Sequence, residues 1–366
     1  MKHYSVHELE ERLVPLGRTY RETAPDRLHF NWTCSGIEFW FCGTCLTAVL
    51  EAYAAKEIDR DATGNACERE TWPWVAVFLD DEETPSKCFE LSKPHDSYLL
   101  FASETEQTHR IRLVKLTENL KTGAALCGIS AQGQFLKPVL SARKRIEFIG
   151  DSITCGFGNE TKDRNRAFFS DEENGWLSHA AIAGRRLGMD WSQVSISGIC
   201  LTPWEALPLP YAMNELYEYT DRVLEDRLEK QEYQRWDFEK HRTDYVVVNL
   251  GTNDTTAIMA QRDYEAAEDQ FHQAYLSFLQ TLRALHGPDA TIICALGSMD
   301  YYLYHRLTKI VEEYKKSLCD EKVICFRYPR ISVFDPLGAC GHPHTVTHEK
   351  MAYALVRFIN ALETNA

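Results

Sequence analysis

Ile146-Glu147-Phe148-Ile149-Gly150-Asp151-Ser152-Ile153-Thr154-Cys155-Gly156 is the stretch that decides the fold of the second half of this chain. Its apolar start reads as a short buried strand, broken by Gly150 and Asp151, so that Ser152 stands in the turn leaving the strand. Open α/β sheets bind ligands at such exits. Outward from this point the same pattern recurs. Residues 193–196, 245–250, 291–296 and 323–326 are short apolar runs, separated by helical stretches at 176–187, 264–285 and 304–318. Continuous apolar strands alternating with amphipathic helices predict a parallel sheet covered on both faces, a three-layer α/β/α domain. The charged segment 213–240 reads as surface helices inserted before the third strand.

Upstream the pattern changes. From about residue 26 to 142 the chain consists of short β-rich runs broken by turn residues, such as 37–41, 74–79 and 109–116. In the last, Ile111, Leu113, Val114 and Leu116 are set among charged or polar residues, the signature of a half-buried antiparallel strand. No helical period interrupts these runs, which predicts a β-sandwich over residues 1–142 ahead of an α/β domain over 143–366.

At 366 residues the chain is long enough for two cores, and 44% hydrophobic content suits a globular protein. The formal net charge of −14 argues against nucleic acid or an anionic membrane as a partner. No apolar stretch approaches the length of a membrane span, and the first twelve residues do not read as a secretory signal. The cysteines are scattered, several inside apolar runs, as expected of reduced thiols in the cytoplasm.

Three words follow one another at strand exits: Gly150-Asp151-Ser152, Gly251-Thr252-Asn253-Asp254 and His342-Pro343-His344. Any one of them is an ordinary turn sequence. Their order, with Gly198 after the second strand, supplies what acyl transfer requires. A serine hydroxyl needs a base, and the oxyanion it creates needs fixed donors. Ser152 is the candidate nucleophile and His342 the candidate base. The backbone N–H groups of Ser152 and Gly198 and the carboxamide of Asn253 are the candidate donors.

With Ser152, Gly198, Asn253 and His342 in separate blocks, the chain resembles the SGNH (GDSL-type) hydrolases. The wider words over 150–160 and 342–352, with Phe30-Asn31-Trp32 and Lys115-Leu116-Thr117-Glu118 upstream, resemble carbohydrate esterase family 2. That resemblance implies an N-terminal jelly-roll sandwich joined to an SGNH hydrolase domain. It also implies a serine O-acetyl esterase acting on acetylated hemicellulose oligosaccharides of the mannan or xylan type, without a cofactor. Rival readings are an SGNH esterase or thioesterase for another short acyl group, and a carbohydrate-binding protein with an inert hydrolase domain.

The chain departs from the wider pattern near the base. Generic SGNH enzymes carry Asp three residues before the histidine, where this chain has Ala339; members of the esterase family often carry Asp two before, where it has Cys340. The resemblance implies a Ser152–His342 dyad in which the backbone carbonyl of Cys340 holds the imidazole Nδ1–H, with Asp335 and Asp300 as alternative third members. Cys42-Gly43-Thr44-Cys45 has metal-like spacing, yet it lies in a β-rich segment with no second such pair, and no metal is expected. His344 and His348 read as polar first-turn residues of the last helix. Sugar rings pack on aromatic planes, which makes Trp204, Tyr301 and Tyr302, each just past a strand, candidate substrate contacts.

Overall fold

A computed structural model describes residues 1–60, 66–140, 142–161, 164 and 169–364. The first half is antiparallel β-structure. It runs through β1 (Lys2–Ser5), helix α1 (Val6–Leu9), β2 (Val14–Leu16), β3 (Tyr20–Glu22), β4 (Arg27–His29) and β5 (Gly36–Tyr53). There follow β6 (Ala55–Arg60), β7 (Ala66–Thr71), β8 (Trp74–Leu79), β9 (Lys87–Glu90), β10 (His95–Lys115) and β11 (Gly123–Phe135). Nine of these strands form one sheet in the order β3-β4-β11-β5-β10-β8-β9, with β1 on β11 and β2 on β5, while β6 and β7 pair separately. Leu28 on β4 and Val75 and Val77 on β8, from opposite ends of that order, share one core, so the sheet is curled over it.

The long strand β5 shows how. Its core-facing residues are Ile37, Phe39 and Phe41, then Leu46, Ala48 and Leu50, an odd register that becomes even. The switch falls at Gly43, opposite Gly133, where both neighbouring ladders shift register. A bulge adds one residue and turns the following side chains to the other face. A Cβ on Gly43 would stand 2.3 Å from the Gln132 carbonyl oxygen, so only glycine fits. Cys42 and Cys45 flank this bulge as free thiols.

The second half is the predicted layered domain. Strands β12 (Arg145–Gly150), β13 (Asp190–Ser195), β14 (Tyr245–Asn249), β15 (Thr291–Leu296) and β16 (Val323–Arg327) are all parallel, in the order β13-β12-β14-β15-β16. Its helices are α2 (Ser152–Cys155), α3 (His179–Leu187), α4 (Met213–Leu216), α5 (Arg222–Arg227), α6 (Thr252–Met259), α7 (Tyr264–His286), α8 (Tyr304–Leu318) and α9 (Thr345–Thr364). Along β14, Val246 and Val248 pack with Phe271, Phe278 and Leu279 of α7, while Tyr245 and Val247 pack with Ala180 of α3 and Met351 and Leu355 of α9. Each strand thus feeds two cores. The order reverses between β12 and β14, the switch point where a doubly wound sheet opens a crevice at its carboxyl edge.

The two halves meet through buried polar contacts. The Arg18 guanidinium is fully buried and grips the Glu147 carboxylate of β12 with Nε and Nη2 at 3.2 and 3.1 Å, beneath the rings of Tyr217, Trp236 and Phe238. Asn31 and Asn119 both donate to the buried Asp221 carboxylate, at 2.7 and 3.0 Å, and Trp32 donates to the Thr220 carbonyl. Residues 213–240 do carry two short helices ahead of β14, yet the first half of the segment is an interface and not surface. Met213, Leu216, Tyr217, Val223 and Leu224 are buried, and Asp221 receives the first domain. The charge in the segment masked an apolar face at short helical spacing.

Among the described residues, no helix is long and apolar enough to cross a membrane.

Candidate active site

Ser152 opens α2 directly beyond β12. Asp151 caps this short helix, its Oδ1 accepting from the Ile153 N–H at 3.0 Å, as a side-chain acceptor at an N-cap does. Gly150 is glycine of necessity: a Cβ there would meet Thr154 Oγ1 at 2.0 Å. The position of Ser152 is thereby fixed from both sides, and the residue is 8% exposed.

His342 arrives from the other end of the chain. Its Nε2 lies 2.9 Å from Ser152 Oγ, and its Nδ1 lies 3.0 Å from the Ala339 carbonyl oxygen. With Nδ1 donating to that carbonyl, Nε2 is left to accept the serine proton. The sequence reading placed the orienting carbonyl at Cys340, and the structure moves it to Ala339. The reason is local geometry. Residues Ala339–Gly341 make one tight turn in which Cys340 takes a left-handed conformation, φ 52°, leaving Ala339 to accept from both the backbone N–H and the ring of His342. The Cys340 side chain is exposed. Asp335 is tied to Lys350, Thr347 and the Ser332 N–H, and Asp300 to Thr255 and Tyr302, so neither carboxylate serves the imidazole.

The histidine turn leans on the serine turn. Ala339 N–H donates to Gly158 O at 3.0 Å, Thr345 N–H to Asn159 O at 3.2 Å, and the Phe157 ring lies 4.4 Å from the imidazole. Burial pushes the His342 pKa down to about 4, against the backbone carbonyls of Ala339 and, more weakly, Cys340, which raise it. The resting imidazole is therefore neutral over the ordinary pH range, the state a general base needs.

Gly198 and Asn253 flank the serine on the neighbouring strand exits. Gly198 follows β13 with φ 82°, a conformation glycine adopts freely, and opens onto empty space. Asn253 sits in the first turn of α6 and gives one Nδ2 proton to the Ile199 carbonyl at 3.0 Å, leaving its second proton with no protein acceptor among the described residues. Among the described residues, no protein acceptor takes the backbone N–H of Ser152 or Gly198.

Two buried carboxylates beside this site went unread in the sequence. Asp254 takes the Leu201 N–H at 3.0 Å and the Trp204 indole N–H at 2.8 Å, and burial lifts its pKa to about 6. Asp151 is pushed up to about 7 by burial, with the Asp254 charge adding to it. Both stand next to a residue that was singled out, and Asp before a helix is itself an N-cap signal. The reading of His348 is corrected as well. It is fully buried rather than a polar first-turn residue: its Nδ1 accepts from the His179 N–H at 3.1 Å, and the two rings stack. Burial drives the His179 pKa down to about 3.

The aromatic candidates fare differently. Trp204 is 5% exposed and spends its N–H on Asp254, so its ring is core, and the edge it shows lines a separate cleft of 730 Å³ with Glu205, Gln261 and Arg262. Tyr301 donates to the Tyr328 carbonyl and carries the Arg327 guanidinium over its ring; Tyr302 is exposed and donates to Glu268. Among the described residues, no group of three His, Cys, Asp or Glu side chains is arranged to hold a metal ion.

Comparison with known proteins returns two family models. The GDSL-like lipase/acylhydrolase model matches residues 148–343, and the carbohydrate esterase 2 N-terminal model matches residues 16–138. Among curated proteins, the chain is 30% identical over 331 residues to the cellulase/esterase CelE of Acetivibrio thermocellus, covering 88% of this chain and 36% of that protein. It is 22% identical over 278 residues to an acetylxylan esterase / glucomannan deacetylase of Cellvibrio japonicus, covering 75% of this chain and 70% of that protein. The chain thus spans about a third of the first relative's length. Among solved structures, a family two carbohydrate esterase from Clostridium thermocellum in complex with cellohexaose superposes with a TM-score of 0.80 at 28% identity, covering 96% of this chain and 99% of that one. An acetyl xylan esterase from the rumen bacterium Butyrivibrio proteoclasticus shares the fold with a TM-score of 0.82 at 24% identity, covering 99% of this chain and 98% of that one.

Proposed function

Because the chain belongs to the GDSL-like lipase/acylhydrolase family, with the N-terminal domain of carbohydrate esterase family 2 in front, we propose that it is a serine O-acetyl esterase. Its substrates are acetylated hemicellulose oligosaccharides of the xylan or glucomannan type. The observation that carries this reading is the 2.9 Å contact between Ser152 Oγ and His342 Nε2 at the switch point of the sheet.

The mechanism follows from the geometry. His342, neutral and oriented by the Ala339 carbonyl, removes the Ser152 proton as Oγ attacks the acetyl carbonyl carbon. The tetrahedral oxyanion faces the N–H groups of Ser152 and Gly198 and the free Nδ2 proton of Asn253. His342 then gives its proton to the departing sugar hydroxyl, leaving acetyl-Ser152. Water, deprotonated by the same imidazole, attacks this ester, and acetate leaves as Oγ regains its proton. A carbonyl dipole replaces the usual carboxylate behind the imidazolium.

The named activities of the relatives and the cellohexaose held by one of the neighbours support a carbohydrate ligand. The exposed thiols of Cys88, Cys319 and Cys340 suit a reducing compartment, the cytoplasm, where the substrates are short imported oligosaccharides. Mass spectrometry of acetylated xylo- and manno-oligosaccharides tests the proposal. Loss of 42 Da per acetyl group with wild type, and none with Ser152→Ala, is expected from the elemental difference between an acetyl ester and a hydroxyl, about one ketene unit. Acetylated sugars left intact by a folded wild-type chain, with longer acyl esters cleaved instead, refute the acetyl assignment.

A further inference from the structure

We propose that Glu118, a residue of the N-terminal domain, positions the oxyanion-binding turn of the hydrolase domain. This rests on the esterase reading and adds a residue to it. The turn that carries Gly198 is held at three places around the glycine. Leu201 N–H is taken by Asp254, and the Ile199 carbonyl by Asn253, both within the hydrolase domain. The remaining hold is on the near side. Ser197 N–H, one residue before Gly198, donates to Glu118 Oε2 at 2.7 Å, across 79 positions of sequence. The peptide entering Ser197, one ahead of the peptide that carries the Gly198 N–H, is therefore anchored by a carboxylate from the other domain.

Glu118 is built to hold still. It is fully buried, its own N–H donates to Glu173 Oε2 at 2.9 Å, and its carbonyl accepts from Lys115 Nζ at 2.7 Å. Lys115, also fully buried, further ties down the carbonyls of Asn31 and Thr117. With its backbone pinned on both sides, Glu118 has little freedom except to aim at the turn. The arrangement is costly. Glu118 Oε1, Glu173 Oε1 and Ser197 Oγ are buried with no hydrogen-bond partner among the described residues, and burial next to Glu118 pushes the Glu173 carboxyl well above the usual range. Packing alone is served better by an apolar side chain, so a buried carboxylate spent on one backbone N–H points to function. Gly198 makes the hold necessary: at φ 82° with open space beyond, the glycine does not resist rotation of its own peptide.

The test uses the full chain and steady-state acetate release from an acetylated xylo-oligosaccharide. Glu118→Ala and Glu118→Asp, which remove or shorten the acceptor, are expected to lower kcat about 100-fold with KM within about threefold, the cost of a donor misplaced by about an ångström. Glu118→Gln keeps an acceptor oxygen at the same reach and is expected to stay within about fivefold of wild type. A folded Glu118→Ala with kcat within about threefold of wild type overturns the proposal, as do Ala and Gln variants impaired alike. If Glu118→Ala does not fold, Glu118→Asp decides by the same kcat criterion. Acetate release by wild type reports on the esterase reading, whereas the variant-to-wild-type ratio, also measurable on a nitrophenyl ester, reports on Glu118.

Discussion

Replacing Gly158 by alanine is expected to cost the enzyme about 100-fold in kcat although residue 158 touches no substrate. A Cβ at this position would lie 2.3 Å from the Ala339 Cβ and 3.0 Å from its nitrogen. Ordinary contact begins near 3.4 Å, so the histidine turn must retreat by at least 3.4 − 2.3 = 1.1 Å. Ala339 cannot retreat alone, because its carbonyl holds both the ring and the backbone N–H of His342 at 3.0 Å. The imidazole therefore follows, and a 2.9 Å hydrogen bond to Ser152 becomes a gap of about 4 Å, beyond hydrogen-bond reach. Adding a Cβ at φ 54° costs about 1 kcal/mol of backbone strain besides, a few degrees of melting temperature. The assay is kcat and KM on an acetylated oligosaccharide, with thermal unfolding in parallel. A variant that melts within a few degrees of wild type yet keeps kcat within about threefold refutes the claim that the Gly158–Ala339 contact sets the dyad geometry.

Further outcomes follow from the same geometry. Asn253→Ala removes the proposed side-chain oxyanion donor and is expected to lower kcat by about 10²–10³, measured against an unchanged KM. Cys340→Ala keeps the turn's backbone, and since the thiol is exposed the rate is expected to stay within about threefold; a loss of 10³ or so in a folded variant would restore a role for the sulfur. The proposed mechanism uses neutral His342, whose pKa is lowered to about 4 by burial, so kcat/KM on the free enzyme is expected to remain level as pH falls through the ordinary histidine range and to decline only near 4. An acid limb centred near the unperturbed value of about 6.5 would contradict the burial argument.

The hydrolase half was largely legible because its signals are local. The exits of β12 and β14 carry short words and that of β13 a glycine, and α8 begins and ends where the helical period predicts, at Tyr304 and Leu318. The order of Ser152, Gly198, Asn253 and His342 assembled them at one sheet edge before any geometry was known. What escaped depends on contacts the sequence does not display. The orienting carbonyl belongs to Ala339 instead of Cys340 because the turn between them is left-handed at a non-glycine residue, which composition does not announce. Trp204 looked like an open platform because it follows a strand, yet its partner Asp254 is 50 positions away. His348 carries a polar side chain at the start of a helix, and only the packing of α3 against α9 reveals that it is enclosed. The segment 213–240 misled for the opposite reason, its charge concealing Tyr217 and Asp221.

The grip of Arg18 on Glu147 limits where this gene can be divided. Cleaved near residue 142, one fragment would carry a guanidinium made to lie under three aromatic rings, and the other a carboxylate on a central strand with its cation gone. Stranding a buried charge costs several kcal/mol, comparable with the whole stability of a domain. Recombination that moves this hydrolase domain would therefore have to carry the N-terminal domain with it, the two travelling as one cassette.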